Sequence, residues 1–240
     1  MKRVVKILFA LLLLLIVFAG IMTLTPHEVQ HDTEISDNYT QVLGRNSNGT
    51  VYKITCGNNS SNDTAIVILG VHSLESGIHN ATNETIMNFT KANDLNKKFI
   101  VYFIKLNFND SGMNTSDYDT NRHMGEMLAN EYVVPDIERY DSYIVVDVHE
   151  MESYWDNQRY VGILDTKSDV EVEYATRIAE NLGYPTFPIN AGTSPKWVTM
   201  PIEKNKHNVI LFETAQNDSQ DKKMQTAKDL VRTIDSLTVY

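Results

Sequence analysis

Ala65-Ile66-Val67-Ile68-Leu69-Gly70-Val71-His72-Ser73-Leu74-Glu75 is the stretch from which the fold can be read. Residues 65–71 are apolar, largely β-branched and bounded by polar positions, a pattern that predicts a short buried strand. His72 and Glu75 follow at once, so an imidazole and a carboxylate stand where a core strand ends. At i and i+3 in a turn, both can face one point. A second such run, Tyr143-Ile144-Val145-Val146-Asp147-Val148, ends in His149, and a third, Asn208-Val209-Ile210-Leu211-Phe212, ends in Glu213. Three buried strands thus deliver metal-binding groups at their C-terminal ends, the edge on which open α/β sheets build sites. Two histidines and one glutamate leave a tetrahedral zinc with one position free for water, the arrangement of catalytic sites.

Neighbouring residues refine this picture. Asp147 and His149 are two apart and share one strand face, so Asp147 can accept a ring N–H and fix a ligand's tautomer. Glu150 points to the opposite face. His79, four residues beyond Glu75, is a rival ligand.

Working outward, strands alternate with helices. Gln41–Gly44 and Val51–Cys56 read as a hairpin around an Asn-Gly turn. Ile78, Ala81, Ile86, Phe89 and Leu95 suggest a helix, and Phe99–Leu106 a further strand. Residues 107–120 read as a loop, and Met124, Leu128 and Tyr132 as a short helix stopping before Pro135. Arg159–Leu164 reads as a strand. Ser168-Asp169-Val170-Glu171 has capping-box form and opens a helix that Gly183 ends. Residues 186–206 read as a loop, and the last segment, from Met224 to Leu237, as an amphipathic helix. The predicted fold is α/β, a mixed, largely parallel central sheet flanked by helices.

Ahead of this domain, Lys2, Arg3 and Lys6 precede a charge-free run from Ile7 to Leu24. Its length covers roughly one hydrocarbon core, about 27 Å as helix. Basic residues before it and acidic residues after it place the N-terminus inside and the body outside. The expected organisation is a signal anchor or signal peptide over residues 1–25, a tether over 26–37, and an extracytoplasmic domain over 38–240. An uncleaved transmembrane helix is favoured, because no A-x-A cleavage site stands out. Asn-x-Ser/Thr sequons at Asn38, Asn48, Asn62, Asn80, Asn88, Asn109 and Asn114 are open to glycosylation in an exported chain.

Bulk properties exclude some classes. The formal net charge of −10 offers no basic stripe for phosphates, which argues against nucleic acid as a partner. The single cysteine, Cys56, forms no internal disulfide and reads as a small buried strand residue.

Taken in order, His72-Ser73-Leu74-Glu75, Asn121-Arg122, Asp147-Val148-His149 and Phe212-Glu213-Thr214 resemble the metallocarboxypeptidase superfamily. The D-x-H element is nearest the succinylglutamate desuccinylase/aspartoacylase branch. The resemblance covers roughly His72 to Glu213. It implies a zinc-carboxypeptidase-like fold, with zinc held by His72, Glu75 and His149. It implies Glu213 as the general base and Arg122, assisted by Asn121, as the group that binds a substrate carboxylate or steadies the oxyanion. Arg159 would substitute for a further arginine that the family often places between Glu75 and His149. The implied activity is hydrolysis of a peptide or an N-acyl amino acid. The alternative is a catalytically inactive surface protein that keeps the fold and the metal site for binding.

Overall fold

Eight strands, β1 (Thr40–Asn46), β2 (Gly49–Gly57), β3 (Thr64–Leu69), β4 (Lys98–Leu106), β5 (Ser142–Met151), β6 (Tyr160–Leu164), β7 (Thr186–Ile189) and β8 (Val209–Ala215), form one sheet. Their spatial order is β1-β2-β4-β3-β5-β8-β6-β7. These come from a computed structural model that describes residues 40–107, 115–152, 158–165, 167–190 and 192–240. The central strands β4, β3, β5 and β8 run parallel, while β1, β2 and β6 each pair antiparallel to a neighbour. Every residue of β3 is buried, because both faces of the sheet are covered, and a continuous apolar run is what such a strand requires.

One face carries α1 (Ser76–Lys91), α4 (Asp169–Leu182) and α6 (Gln220–Ser236). Their Ile78, Ala81, Ile178, Leu230 and Ile234 pack on Ala65, Val67, Ile144, Val146 and Phe212. The other face carries α2 (Thr115–Leu128) and the short helices α3 (Val134–Ile137) and α5 (Met200–Lys204), each of the last two entered through a five-residue π-turn. Here Leu128, Val133, Ile137, Val198 and Ile202 cover Ile66, Ile68, Val145, Val209 and Leu211. From Val145 onward the odd-numbered residues of β5, and those of β8, therefore face this second side, and Asp147, His149 and Glu213 stand on it together.

Several expectations are corrected locally. The hairpin turn is Ser47-Asn48, with Asn46 already paired to Gly49 and Asn48 N donating to the Asn46 side chain at 2.8 Å. Residues 115–120, read as loop, open α2. The chain does not stop before Pro135; that proline sits in the first turn of α3, where its missing N–H leaves no intrahelical bond unmade. The segment 186–206, read as loop, contains β7 and α5. Ser168 caps α4 as the capping box predicts, accepting from Glu171 N at 3.0 Å, but Glu171 turns away and accepts from Val209 N at 3.3 Å.

Two buried ion pairs tie the layers. Lys53 on β2 lies 2.6 Å from Asp136 on α3, whose same oxygen takes the Tyr102 hydroxyl at 2.7 Å. Lys223 on α6 lies 2.7 Å from Glu150 on β5.

Among the described residues, no helix is long and apolar enough to cross a membrane. The Ile7–Leu24 run, the tether and the sequons at Asn38, Asn109 and Asn114 lie outside the described residues.

Candidate functional site

The site starts at the end of β3. Gly70 adopts φ +83, and a Cβ there would lie 2.2 Å from the Ile104 carbonyl oxygen, so only glycine lets the chain turn here. His72 is extended, and Ser73–Glu75 closes a single 3₁₀ turn through Glu75 N to His72 O at 3.1 Å. That turn puts both side chains on one side. α1 begins at once, and Glu150 Oε1 accepts its Ile78 N–H at 2.6 Å, fixing the helix end that follows Glu75.

The buried Glu75 carboxylate is the centre of the site. Its Oε1 lies 2.8 Å from His72 Nδ1 and 3.0 Å from Arg122 Nη1. Its Oε2 lies 2.8 Å from His149 Nδ1 and accepts from Glu150 N at 3.1 Å. The two imidazoles face each other with centroids 4.7 Å apart. Behind each ring stands a buried carboxylate. His72 Nε2 lies 3.1 Å from Glu126 Oε1. Asp147 Oδ1 lies 3.0 Å from His149 Nε2 without the alignment of a hydrogen bond. The aligned partner of that nitrogen is Ser194 Oγ at 3.2 Å, which donates onward to Asp147 Oδ2 at 3.1 Å.

These contacts meet a metal's requirements. Glu126 and the Ser194–Asp147 pair are acceptors, so each imidazole directs its Nε2–H outward. Both Nδ1 atoms are then turned on the Glu75 carboxylate, where either ring protons or a shared cation can reconcile them. One ligand atom from each of the three residues lies within 4.8 Å of the others. Two imidazoles and one carboxylate, all buried, are a zinc-type donor set with room for a further ligand. Burial pushes Glu75 up, but His72 and His149 hold it well below the usual carboxylate range. Burial pushes His149 down, yet Asp147 and Glu75 hold it well above the usual histidine range, so a metal binding there must displace a ring proton.

Glu213 pairs with His149 across β5 and β8, on the same face. Its Oε2 is sealed from solvent without a hydrogen-bond partner, and burial pushes its pKa up to about 8. Tyr160 on β6 pairs with Glu213 from the other side. Arg122 reaches both Glu75 and, at 3.5 Å, Glu152. Asn121 is its neighbour on α2. Arg159 stands just before β6 and grips Asp218 through Nε at 3.1 Å and through Nη2. Thus His72, Glu75, His149 and Arg122 converge, Glu213 stands beside them, and Arg159 is joined to an acid in the turn after β8. His79 is not in the cluster. It is fully buried on α1, its Nε2 lies 2.7 Å from Val148 O, and burial pushes it down to about 4, so it is a neutral core histidine.

Glu126, Ser194 and Tyr160 were not singled out from the sequence. Glu126 had a signal, since it follows Arg122 by one helical turn and shares its face. Ser194 had none, because nothing in the segment before Pro195 distinguishes it.

This sheet, with its parallel centre and its site at the strand ends, resembles in fold the solved metallo-carboxypeptidases it matches. No family profile and no curated protein matches the sequence. Solved structures do match. A metallo-carboxypeptidase from Burkholderia cenocepacia aligns with TM-score 0.53 at 11% identity, over 81% of this chain and 63% of its own. The cell shape determinant protein Csd4 from Helicobacter pylori, in its apo form, aligns with TM-score 0.52 at 11% identity, over 77% of this chain and 53% of its own. A Shewanella denitrificans OS217 protein assigned by name to the metallopeptidases aligns with TM-score 0.53 at 11% identity, over 81% of each chain. The chain thus spans between half and two thirds of the first two. At these identities the likeness establishes the fold.

Proposed function

We propose that this chain is a zinc-dependent amide hydrolase of carboxypeptidase or N-acyl amino acid deacylase type. The observation that carries the reading is Glu213: an unpartnered carboxylate oxygen, sealed from solvent, one strand from His149. Buried carboxylate oxygens without a donor are uncommon, and a proton shuttle beside the metal cluster must keep one for its substrate. His72, Glu75 and His149 would hold the metal. Zinc, when bound there, would supply a Lewis acid that polarises an amide carbonyl and acidifies water toward pH 7 or so, about the level of known zinc sites. Glu213 then takes the proton from the attacking water and returns it to the leaving amine. Burial raises its pKa to about 8, and a bound dication would draw it back toward the ionised form that a base requires. Arg122, with Asn121 beside it, supplies the cation for a substrate carboxylate or the developing oxyanion, provided a substrate draws it from Glu75 and Glu152. Arg159 serves the outer part of the same rim.

Substrates of peptide type are supported by the Csd4 structures described as tripeptide-bound and product-bound. We further propose that the Ile7–Leu24 run anchors the domain outside the membrane, where cell-envelope peptides are within reach; the full chain should then fractionate with membranes.

The test is Glu213→Gln. Metal content should hold while hydrolysis across a panel of peptides and N-acyl amino acids falls by about 10²–10⁴-fold. Unchanged turnover in folded, metal-loaded variant would sink the mechanism. A second reading, a binding protein with an inactive site, is favoured by one contact, the Arg122–Glu75 pair at 3.0 Å, which occupies the cation a substrate would need. Zinc binding without hydrolysis of any panel member would support it.

A further inference from the structure

Two buried groups stand behind the two imidazoles. Glu126, on α2, is the carboxylate on His72 Nε2 at 3.1 Å. Ser194, in the segment that sequence left as a plain loop, stands between His149 Nε2 and Asp147. Each candidate ligand therefore has its own outer partner. Glu126 is 1% exposed and Asp147 0%. Two carboxylates held that far from water must be matched by donors or they destabilise the fold, and here the donors are ring N–H and hydroxyl groups.

We infer that Glu126 is the positioning residue for His72, and that Ser194 holds Asp147 to the same task for His149, so that both imidazoles present Nδ1 toward Glu75. This rests on the zinc reading above. The physical reason is the tautomer. An imidazole whose Nε2–H is claimed by an acceptor must offer Nδ1 as its lone pair, and an anionic acceptor makes that lone pair more basic. Without Glu126, His72 is free to keep its proton on Nδ1 and to swing about χ2. Without Ser194, the Asp147 carboxylate meets His149 only at the poorly aligned 3.0 Å contact.

The test uses the full-length chain in detergent. Zn²⁺ affinity is read by competition with a chromophoric chelator, and ligand geometry by the visible absorption of the Co²⁺ form. Glu126→Leu should weaken Zn²⁺ by about 10–100-fold, the usual scale for such partners, and should shift the Co²⁺ bands. Glu126→Gln keeps an acceptor oxygen and should lose less. Ser194→Ala should also weaken binding. A merely structural role would lower the unfolding midpoint and leave affinity and spectrum of the folded protein unchanged. Should Glu126→Leu fail to fold, Glu126→Gln and Ser194→Ala decide: both at wild-type affinity with an unchanged spectrum would overturn the inference. Wild-type protein that binds neither metal would overturn the zinc reading and this inference together. Wild-type binding with unaffected variants would overturn this inference alone.

Discussion

Gly125→Ala gives a test in which two effects of opposite sign can be weighed beforehand. In an unconstrained helix the change should stabilise by about 1 kcal/mol, because alanine is the better helix former. Here α2 crosses the end of β3 so closely that a Cβ at position 125 would lie 1.8 Å from the Val71 carbonyl oxygen. Ordinary contact begins at 3.4 Å, so the gap is short by 3.4 − 1.8 = 1.6 Å, and the obstacle is backbone. The helix must back away by more than 1 Å, at an overpacking cost of about 1–3 kcal/mol or more. Overpacking wins, and net destabilisation of about 1–2 kcal/mol is expected in urea unfolding. The second consequence is local. Val71 precedes His72 and Gly125 precedes Glu126, so the same displacement opens the 3.1 Å His72–Glu126 contact. Zinc affinity should fall alongside stability. A Gly125→Ala protein at least as stable as wild type, with unchanged zinc affinity, would refute the close approach of α2.

Further outcomes are expected. Burial pushes the Glu171 carboxyl up to about 7 from 4.5. A raised carboxyl contributes its full stability below 4.5 and loses it as pH rises through 7, so Glu171→Gln should gain on wild type by up to about 3 kcal/mol between pH 5 and 8; an equal difference at both pH values would contradict this. Lys53→Met removes the buried cation of Asp136 but leaves it the exposed Arg139 at 3.3 Å, and should cost about 1–3 kcal/mol, with zinc content of the folded protein unchanged. His79→Leu should destabilise, through the lost bond to Val148 O, while zinc stoichiometry stays as in wild type; loss of metal would restore His79 as a ligand.

What was legible in the sequence follows the apolar runs. β3, β4, β5 and β8 are continuous because both faces of the sheet are covered, and each announces the polar residue at its end. His72, His149 and Glu213 could be placed at one edge for that reason. Ser168 and Gly183 likewise declared the ends of α4. The misreadings lie where packing rather than local chemistry decides. Thr115–Thr120 is polar and loop-like yet helical, and Pro135 opens a helix where it was expected to end one. Ser194 acquires its place only once β5 has brought Asp147 and His149 within reach. The resemblance gave Arg159 a substrate role; its pairing with Asp218, 59 residues on, is a contact that the sequence does not convey.

β5 alternates between two duties. On the proposed reading Asp147 and His149 belong to the chemistry, while Val148 and Glu150 belong to the scaffold, with Glu150 holding the start of α1 and the Lys223 ammonium. The division means that chemistry and foldability can be inherited separately. A lineage could exchange His149 and Glu213, abolish turnover, and still assemble the same sheet, provided position 150 and its lysine were kept. Among descendants of such a chain, the odd-numbered residues of this strand would report whether the protein still reacts, and the even-numbered ones only that it still folds.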